Sequence, residues 1–269
     1  MTDSKKTYKI KEIHYTIQGE GANSGVPMFL TRLTGCNVWS GREEDRAKSA
    51  HKGMCAMWCD TDFKDMKGEN GGKYTSKEFL EFLESTTYLT HFSSSGISKG
   101  SVSGRGKKGV VLFTGGEPLL QVDKELVYLL LKERFDVAIE TNGSQDISAV
   151  IQARDWYNDG GGTSGVLWIT VSPKPPMPIH ESVYQHGVGE VKVVLDSEHI
   201  DPADYIDIPA EYYYIQPLDY SKMLEPKQGV SNPFTPQFNR NSVIACSEYV
   251  MSNPRWRLSS QQHKEWLLP

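Results

Sequence analysis

Three of the four cysteines lie close together in sequence, with the spacing Cys36-x18-Cys55-x3-Cys59. Clustered thiolates are soft ligands that favour zinc or an iron–sulfur cluster. A structural zinc site normally has four ligands, so zinc would also need His51 or the distant Cys246. A cluster held by three cysteines would instead leave one iron open to a small molecule. The cysteine spacing alone leaves both interpretations open.

A second chemical motif, Thr114-Gly115-Gly116-Glu117-Pro118, follows a predicted strand. Glycines at a strand end let a ligand approach the backbone, because they carry no Cβ. Glu117 could then accept a hydrogen bond from a ligand ammonium group, while Pro118 can open the next segment. The structural alternative is a tight turn that starts a helix.

Four further polar tetrads are predicted at comparable positions. In α/β folds, ligand sites collect at the carboxyl ends of parallel strands. Several such segments in one chain therefore favour a large, polar ligand set. The tetrads are Cys59-Asp60-Thr61-Asp62, Glu140-Thr141-Asn142-Gly143, Val171-Ser172-Pro173-Lys174 and Gln216-Pro217-Leu218-Asp219.

The elements that must position these motifs form a mainly parallel sheet with helices. Short β-branched runs alternate with helix-like stretches, which is typical of βα units. The first helix follows Thr75, with Glu78 completing a capping box, and the second follows Asp123. We predict strands at 28–33, 110–113, 137–140, 167–171, 191–195 and 212–216, and helices at 76–85 and 124–135.

Composition restricts the class of protein. The 269-residue chain is 38% hydrophobic and 23% charged, which is typical of a soluble globular protein. Its net charge of −5 argues against a broad surface for nucleic acid. The sequence has neither an apolar run long enough for a membrane span nor an apolar N-terminal signal. We therefore expect a cytoplasmic protein that does not associate with membranes.

We expect one domain, covering residues 1–269, with two surface insertions. Residues 93–108 are rich in Ser and Gly, and residues 155–165 contain three consecutive glycines. Such composition favours flexible connections. No internal repeat divides the chain. Cys246 lies in an apolar stretch and is expected to be a buried thiol that packs as a small hydrophobic residue.

Five segments resemble the 7-carboxy-7-deazaguanine synthase family of radical S-adenosylmethionine (SAM) enzymes. Together they span nearly the full length of the chain and are specific to this family. Gly-Gly-Glu-Pro alone is typical of radical SAM enzymes generally. The segments are Glu12-Ile13-His14-Tyr15-Thr16-Ile17-Gln18-Gly19-Glu20-Gly21, Arg32-Leu33-Thr34-Gly35-Cys36-Asn37-Val38-Trp39-Ser40-Gly41, Cys59-Asp60-Thr61-Asp62-Phe63, the Thr114 to Pro118 run, and Trp256-Arg257-Leu258-Ser259 through Pro269.

The resemblance implies an α/β fold of the incomplete (β/α) barrel type and a lyase of queuosine-type 7-deazapurine biosynthesis, working as a homodimer. SAM on a 4Fe–4S cluster would be cleaved by one electron from an external donor, giving a 5′-deoxyadenosyl radical. That radical would abstract hydrogen from 6-carboxy-5,6,7,8-tetrahydropterin. Ring contraction with loss of ammonia then gives 7-carboxy-7-deazaguanine. The cofactor supplies the hard chemistry and the protein positions it.

The same resemblance assigns roles to matching residues. Arg32 offers a planar fork for the substrate carboxylate, and the terminal carboxylate of Pro269 could pair with the guanidine-like edge of the pterin. Mg²⁺ prefers oxygen ligands, and Thr61 would supply a hydroxyl. The cluster ligands would be Cys36, Cys55 and Cys59, the SAM contacts Gly116, Ser172, Pro173, Lys174, Gln216, Pro217, Leu218 and Asp219, and the other substrate contacts Ile17, Gln18, Gly19 and Thr114.

One spacing departs from the resemblance. Radical SAM enzymes mostly use Cys-x3-Cys-x2-Cys, and this family lengthens the first interval, so the Cys36–Cys55 gap is expected. The second interval is usually two residues, whereas Ala56, Met57 and Trp58 make it three here. We therefore expect the cluster loop to follow a different local path.

Alternatives remain for the function and for single residues. The same SAM cleavage could serve a glycyl-radical activating enzyme that acts on a partner protein. His51 could complete a zinc site in a binding module. Arg32 could form a surface ion pair, Gln18 and Glu20 a polar turn, and Thr61 a helix N-cap.

Overall fold

The computed structural model describes residues 6–86, 108–161, 165–195, 200–218 and 240–268. Asp219, Pro269 and most of the predicted insertion at 93–108 lie outside these residues. Nine strands of the described chain form one sheet. They are β1 (Tyr8–Ile17), β2 (Pro27–Leu33), β3 (Gly72–Tyr74), β4 (Gly109–Gly115), β5 (Phe135–Thr141), β6 (Leu167–Val171), β7 (Val188–Leu195), β8 (Ala210–Pro217) and β9 (Trp256–Leu258).

The sheet is mainly parallel and open. Its strand order is β3-β1-β2-β4-β5-β6-β7-β8-β9, and every neighbouring pair from β2 to β9 is parallel. Among the described strands, antiparallel pairing occurs only where β1 pairs with its two neighbours, β2 and β3. The two ends of the sheet do not pair with each other, so the predicted incomplete α/β barrel is confirmed. All six predicted strands are present.

The helices are α1 (Arg46–Ser49), α2 (Ser76–Ser85), α3 (Lys124–Lys132), α4 (Ser148–Asp159), α5 (Glu181–His186), α6 (Arg240–Ser252) and α7 (Gln262–Glu265). The predicted capping box of α2 is present, with the Thr75 side chain accepting from the Glu78 amide. The predicted end of α3 at residue 135 was wrong. Arg134 takes a left-handed φ of 74°, and Phe135 already begins β5. The start of the insertion predicted at 155–165 is helical, because α4 continues to Asp159.

The two faces of the sheet bury different layers. One face packs against the helices in the main core, which includes Phe113, Ile139, Leu130 and the fully buried Cys246. The Cys246 prediction is therefore confirmed. The opposite face carries a smaller apolar cluster formed by Met28, Val110, Leu112, Ala138 and Trp168. No described helix is long and apolar enough to cross a bilayer.

Above the smaller apolar cluster, towards the carboxyl ends of the strands, the same face becomes polar. Because side chains alternate between the two faces of a strand, residues two positions apart share a face. Arg32, Thr114, Glu140, Lys192 and Gln216, from β2, β4, β5, β7 and β8, form this polar layer. One face of the sheet thus carries the smaller apolar cluster and, next to it, the polar layer. The polar layer lies at the carboxyl edge, where α/β proteins bind ligands.

Candidate active site

A cavity of about 470 Å³ lies at the carboxyl edge of the sheet. It brings together nearly all the residues singled out in the sequence. Pro173 does not line it, and Asp219 and Pro269 lie beyond the described chain. The predicted residues that do line it are Ile17, Gln18, Gly19, Arg32, Cys36, Cys55, Cys59, Thr61, Thr114, Gly116, Ser172, Lys174, Gln216, Pro217 and Leu218.

The three thiols reach this cavity from two loops. Cys36 follows β2 after Gly35, whose left-handed φ of 86° turns the chain. Cys55 lies in a short helical turn at Met54–Met57, and the amide of Cys59, just beyond it, donates to the carbonyl of Cys55 at 2.7 Å. That hydrogen bond spans four residues and keeps both side chains on one side of the turn. The three-residue interval is therefore accommodated by one complete helical turn.

The contacts of the two proposed fourth zinc ligands do not favour a zinc site. His51 is exposed and its Nδ1 lies 2.8 Å from the carbonyl of Lys48, while Cys246 is buried in the main core. Neither residue lines the cavity. Within the described ranges, no three His, Cys, Asp or Glu side chains converge to hold a single ion. None of the four cysteines forms a disulfide.

The surroundings of the thiols fit a bulky iron–sulfur group. Trp39 lines the same cavity, and its buried Nε1–H finds no acceptor in the described part of the chain. A buried N–H group needs a partner, and a cluster sulfide would be one. Gly116 lets the backbone of the β4 loop approach Cys36, because a Cβ on Gly116 would lie 2.0 Å from the carbonyl oxygen of Gly35. The residues present therefore fit a cluster.

Of the two interpretations of the Thr114–Pro118 motif, the turn that starts a helix is confirmed at Glu117, which caps a short helix at Pro118–Leu120 and does not line the cavity. Its side chain is fully buried and accepts hydrogen bonds from the Thr141 hydroxyl at 2.7 Å, the Asn142 amide at 2.8 Å and the Leu119 amide at 3.1 Å. Burial raises the pKa of Glu117, although these donors counteract it. Glu117 therefore joins the loops after β4 and β5. The position of Glu117 directly after the two glycines had suggested a ligand contact.

Arg32 lies in the cavity wall rather than in a surface ion pair. Its Nε donates to the carboxylate of Glu12 at 2.7 Å, and both side chains are mostly buried. Glu12 comes from the neighbouring antiparallel strand β1 and also lines the cavity. The ion pair does not use the terminal NH₂ groups of Arg32. Those two groups have the geometry to bind a carboxylate.

Lys192 connects the carboxylates of the polar layer. Its ammonium group bonds to Glu20 and lies 3.3 Å from Glu140. Glu140 also accepts from the Gln18 amide at 3.0 Å and from the Thr114 hydroxyl at 3.0 Å. The network fixes side chains from β4, β5, β7 and the loop after β1 around one wall of the cavity.

Electrostatics keep this network charged. Burial by itself lowers the pKa of Lys192, but Glu140, Glu20 and Glu190 outweigh it, so the pKa lies above the usual lysine value. Burial by itself raises the pKa of Glu20, but Lys192 outweighs it and the pKa falls below the usual range. Burial dominates for Glu190, whose pKa is raised. Lys192 and Glu20 are therefore ionised at neutral pH.

Lys174 and Ser172 occupy the wall beside the thiols. The Lys174 ammonium group donates to the Ser172 hydroxyl at 2.6 Å and lies 5.8 Å from the centre of the Trp58 ring. Burial lowers the pKa of Lys174, while the nearby Cys55 and Cys59 counteract it.

The C-terminal segment completes the cavity. The amide of Gln262 donates to the carbonyl of Gly19 at 3.0 Å, which holds the segment against the loop after β1. Gln261 donates to Glu20 at 2.9 Å, and His263 lines the cavity beside it. Burial lowers the pKa of His263. Gln261, His263 and Lys264 therefore form one side of the cavity.

Sequence reasoning missed Glu12, Lys192, Gln261 and His263 as cavity residues. Lys192 had a usable signal, because a lysine within the β-branched run Val191-Lys192-Val193-Val194 is unusual for a buried strand. Glu12, Gln261 and His263 lie in segments that carry the family resemblance, but no local pattern marks them as cavity residues.

The open parallel barrel and the three thiols at its carboxyl edge define an enzyme of the radical SAM class. The 7-carboxy-7-deazaguanine synthase of Burkholderia multivorans is 37% identical over 263 residues, covering 98% of this chain and 100% of the relative. The synthase of Caulobacter vibrioides is 35% identical, with coverage of 98% and 100%. The chain belongs to the 7-carboxy-7-deazaguanine synthase family.

A solved structure supports the fold independently. The crystal structure of QueE from Escherichia coli matches with a TM-score of 0.57 and 22% identity, covering 95% of this chain and 94% of that chain. No protein-family model matches the chain.

Proposed function

We propose that this protein is a 7-carboxy-7-deazaguanine synthase. It converts 6-carboxy-5,6,7,8-tetrahydropterin to 7-carboxy-7-deazaguanine with loss of ammonia, as a cytoplasmic lyase of 7-deazapurine biosynthesis. One observation carries the proposal. Three thiols and a charged polar layer share a single cavity, in a chain that aligns with synthases over 98% of its length.

Cys36, Cys55 and Cys59 would hold a 4Fe–4S cluster. Such a cluster would supply the electron for the cleavage of SAM, the source of the hydrogen-abstracting radical. Ser172, Lys174, Gln216, Pro217 and Leu218 line the cavity and are the proposed SAM contacts, together with Gly116, Pro173 and Asp219. The close backbone approach at Gly116 packs the loop after β4 against Gly35 and Cys36, beside the proposed cluster ligand.

The polar layer would bind the pterin. The terminal NH₂ groups of Arg32 would hold the substrate carboxylate, since Glu12 occupies only Nε. Thr114 and Gln18 meet at the Glu140 carboxylate and would fix the ring beside it. Ile17 and Gly19 line the same wall. Pro269, which lies beyond the described residues, is a further proposed substrate contact on the basis of the family resemblance.

Mg²⁺ would bind at Thr61. This metal keeps waters and substrate oxygens in its coordination shell and needs few protein ligands. Thr61 lines the cavity between Asp60 and Asp62, which supports this position. An external one-electron donor is required by the chemistry. The homodimer is proposed from the family likeness.

The test is anaerobic reconstitution with iron, sulfide, SAM and dithionite, followed by addition of the carboxytetrahydropterin and mass spectrometry of the product. We expect 7-carboxy-7-deazaguanine from the wild type and none from Cys36→Ala. Cys246→Ala is the matched control, because Cys246 is buried away from the cavity and should leave iron content unchanged. A cluster-loaded wild type that gives no deazaguanine would disprove the proposal.

Arg32→Lys tests the carboxylate contact, because lysine keeps the charge but loses the planar fork. We expect kcat/KM for the pterin to fall by about 10- to 100-fold, the loss of one charged hydrogen bond. Cleavage of SAM without pterin should persist. The glycyl-radical activating enzyme is not favoured, since the relatives are synthases and the charged wall suits a small polar substrate.

A further inference from the structure

Arg46 makes contacts that connect the two loops carrying the thiols. It lies in α1, within the 18-residue interval between Cys36 and Cys55. One terminal nitrogen donates to the carbonyl of Ala56 at 2.5 Å and to that of Cys59 at 3.2 Å. Its guanidinium also lies 4.4 Å from the centre of the Trp39 ring. One cation therefore contacts both loops that carry the proposed cluster ligands.

The contact with the Cys55–Cys59 turn has a physical reason. The last carbonyl groups of a helical turn lack partners within the turn, and a cation near them is favourable. Arg46 provides that cation for the carbonyls of Ala56 and Cys59. The turn occupies the three-residue interval between Cys55 and Cys59, and Arg46 binds the carbonyl of Ala56 within it and that of Cys59 at its end.

The contact with Trp39 anchors the other loop. Trp39 is 5% exposed and packs edge-to-face on Phe63, with ring centres 5.9 Å apart. It follows Cys36 by three residues. The Arg46 side chain is 21% exposed, and its Nε is held by Glu43 at 2.8 Å. A guanidinium stacked on a buried indole ring holds a defined position.

We propose that Arg46 is a positioning residue for the iron–sulfur cluster: it clamps Trp39 to the Cys55–Cys59 turn, and its positive charge makes the bound cluster easier to reduce. Outer contacts orient cluster ligands, and net charge and hydrogen bonds near a cluster set its reduction potential. The inference rests on the proposed function, because it requires a cluster at these thiols.

The test compares the wild type with Arg46→Gln, Arg46→Lys and Arg42→Gln after anaerobic reconstitution. Arg42 is exposed in the same interval, so Arg42→Gln removes an equal charge as the matched control. The measurements are iron and sulfide per chain, the rate of iron loss to a chelator, the EPR spectrum of the reduced cluster and its midpoint potential.

We expect Arg46→Gln to lose iron about tenfold faster or more, to lower the midpoint potential and to alter the EPR signal. Arg46→Lys should keep the potential near the wild-type value but still lose iron faster, because lysine has no planar fork. The control should match the wild type.

Two results would overturn the inference separately from the function. Either Arg46→Gln matches Arg42→Gln in potential and EPR, or Arg46→Lys matches the wild type in iron loss. If Arg46→Gln fails to fold by circular dichroism, the Arg46→Lys result decides alone. A wild type that binds no iron or sulfide would instead overturn both the proposed function and the role of Arg46.

Discussion

Lys192→Met removes the cation from the buried charge network while keeping a similar volume. The Lys192 side chain is 5% exposed, and its partners Glu20 and Glu140 are 14% and 22% exposed. Removing one partner of a buried pair leaves an uncompensated charge and typically costs about 3–5 kcal/mol. In a chain of this size, that loss lowers the melting temperature of the apo protein by roughly 5–9 °C.

The loss should depend on pH. In the wild type the pKa of Glu20 is lowered, so its stabilisation is complete above the unfolded-state pKa and is lost as pH falls through the folded-state pKa. Without Lys192, the effect of burial on Glu20 is no longer outweighed, so its pKa rises. The folded variant then takes up protons as pH falls from neutral, which relieves the uncompensated charge. The difference in unfolding free energy between wild type and Lys192→Met should therefore be larger at pH 8 than at pH 5.

Urea unfolding followed by circular dichroism at pH 5, 6.5 and 8 measures this difference. Lys73→Met is the matched control, because Lys73 is exposed on the edge strand β3, and it should change stability by less than about 0.5 kcal/mol. A Lys192→Met variant as stable as the wild type at pH 8 would refute the reasoning. So would a loss of equal size at all three pH values.

Three further predictions concern single positions. Glu117→Gln should destabilise the fold by about 1–3 kcal/mol in thermal melts, because an amide cannot accept all three hydrogen bonds of the carboxylate. The control Glu211→Gln, at an exposed position, should be neutral. Equal melting temperatures for the two variants would contradict the prediction. Gly116→Ala should lower iron content after reconstitution, because its Cβ would lie 2.0 Å from a backbone oxygen. The control Gly72→Ala, whose Cβ would have its nearest neighbour at 3.3 Å, should bind iron normally. Full iron loading of Gly116→Ala would contradict the need for close packing of Gly116 beside Cys36. His263 has a lowered pKa, so the unfolded chain binds a proton there at a higher pH than the folded chain, and stability falls as pH drops below the unfolded-state pKa of about 6.5. His263→Gln should therefore flatten the pH dependence of the unfolding free energy, measured with urea between pH 7 and 5. An unchanged slope would show that His263 does not cause this pH dependence.

Local signals in the sequence determined many of the elements. The capping box at Thr75 and Glu78 places α2 where it is found, because both partners lie within one turn. The end of α3 depends on a left-handed residue at Arg134, which residue type does not encode. β1 was not predicted, because its charged residues pair with acids from distant loops, as Lys11 does with Asp62 and Asp65.

The cysteine spacing, the polar strand ends and the family resemblance predicted a large share of the cavity lining, including all three thiols. These features are local, and parallel strands bring their carboxyl ends to one edge whatever the details. Only the tertiary structure decided which side chains meet there. Glu117 is buried away from the cavity, Lys192 lies between the carboxylates of the polar layer, and Arg46 contacts two loops. Such pairings depend on packing between residues far apart in sequence, so no local pattern contains them.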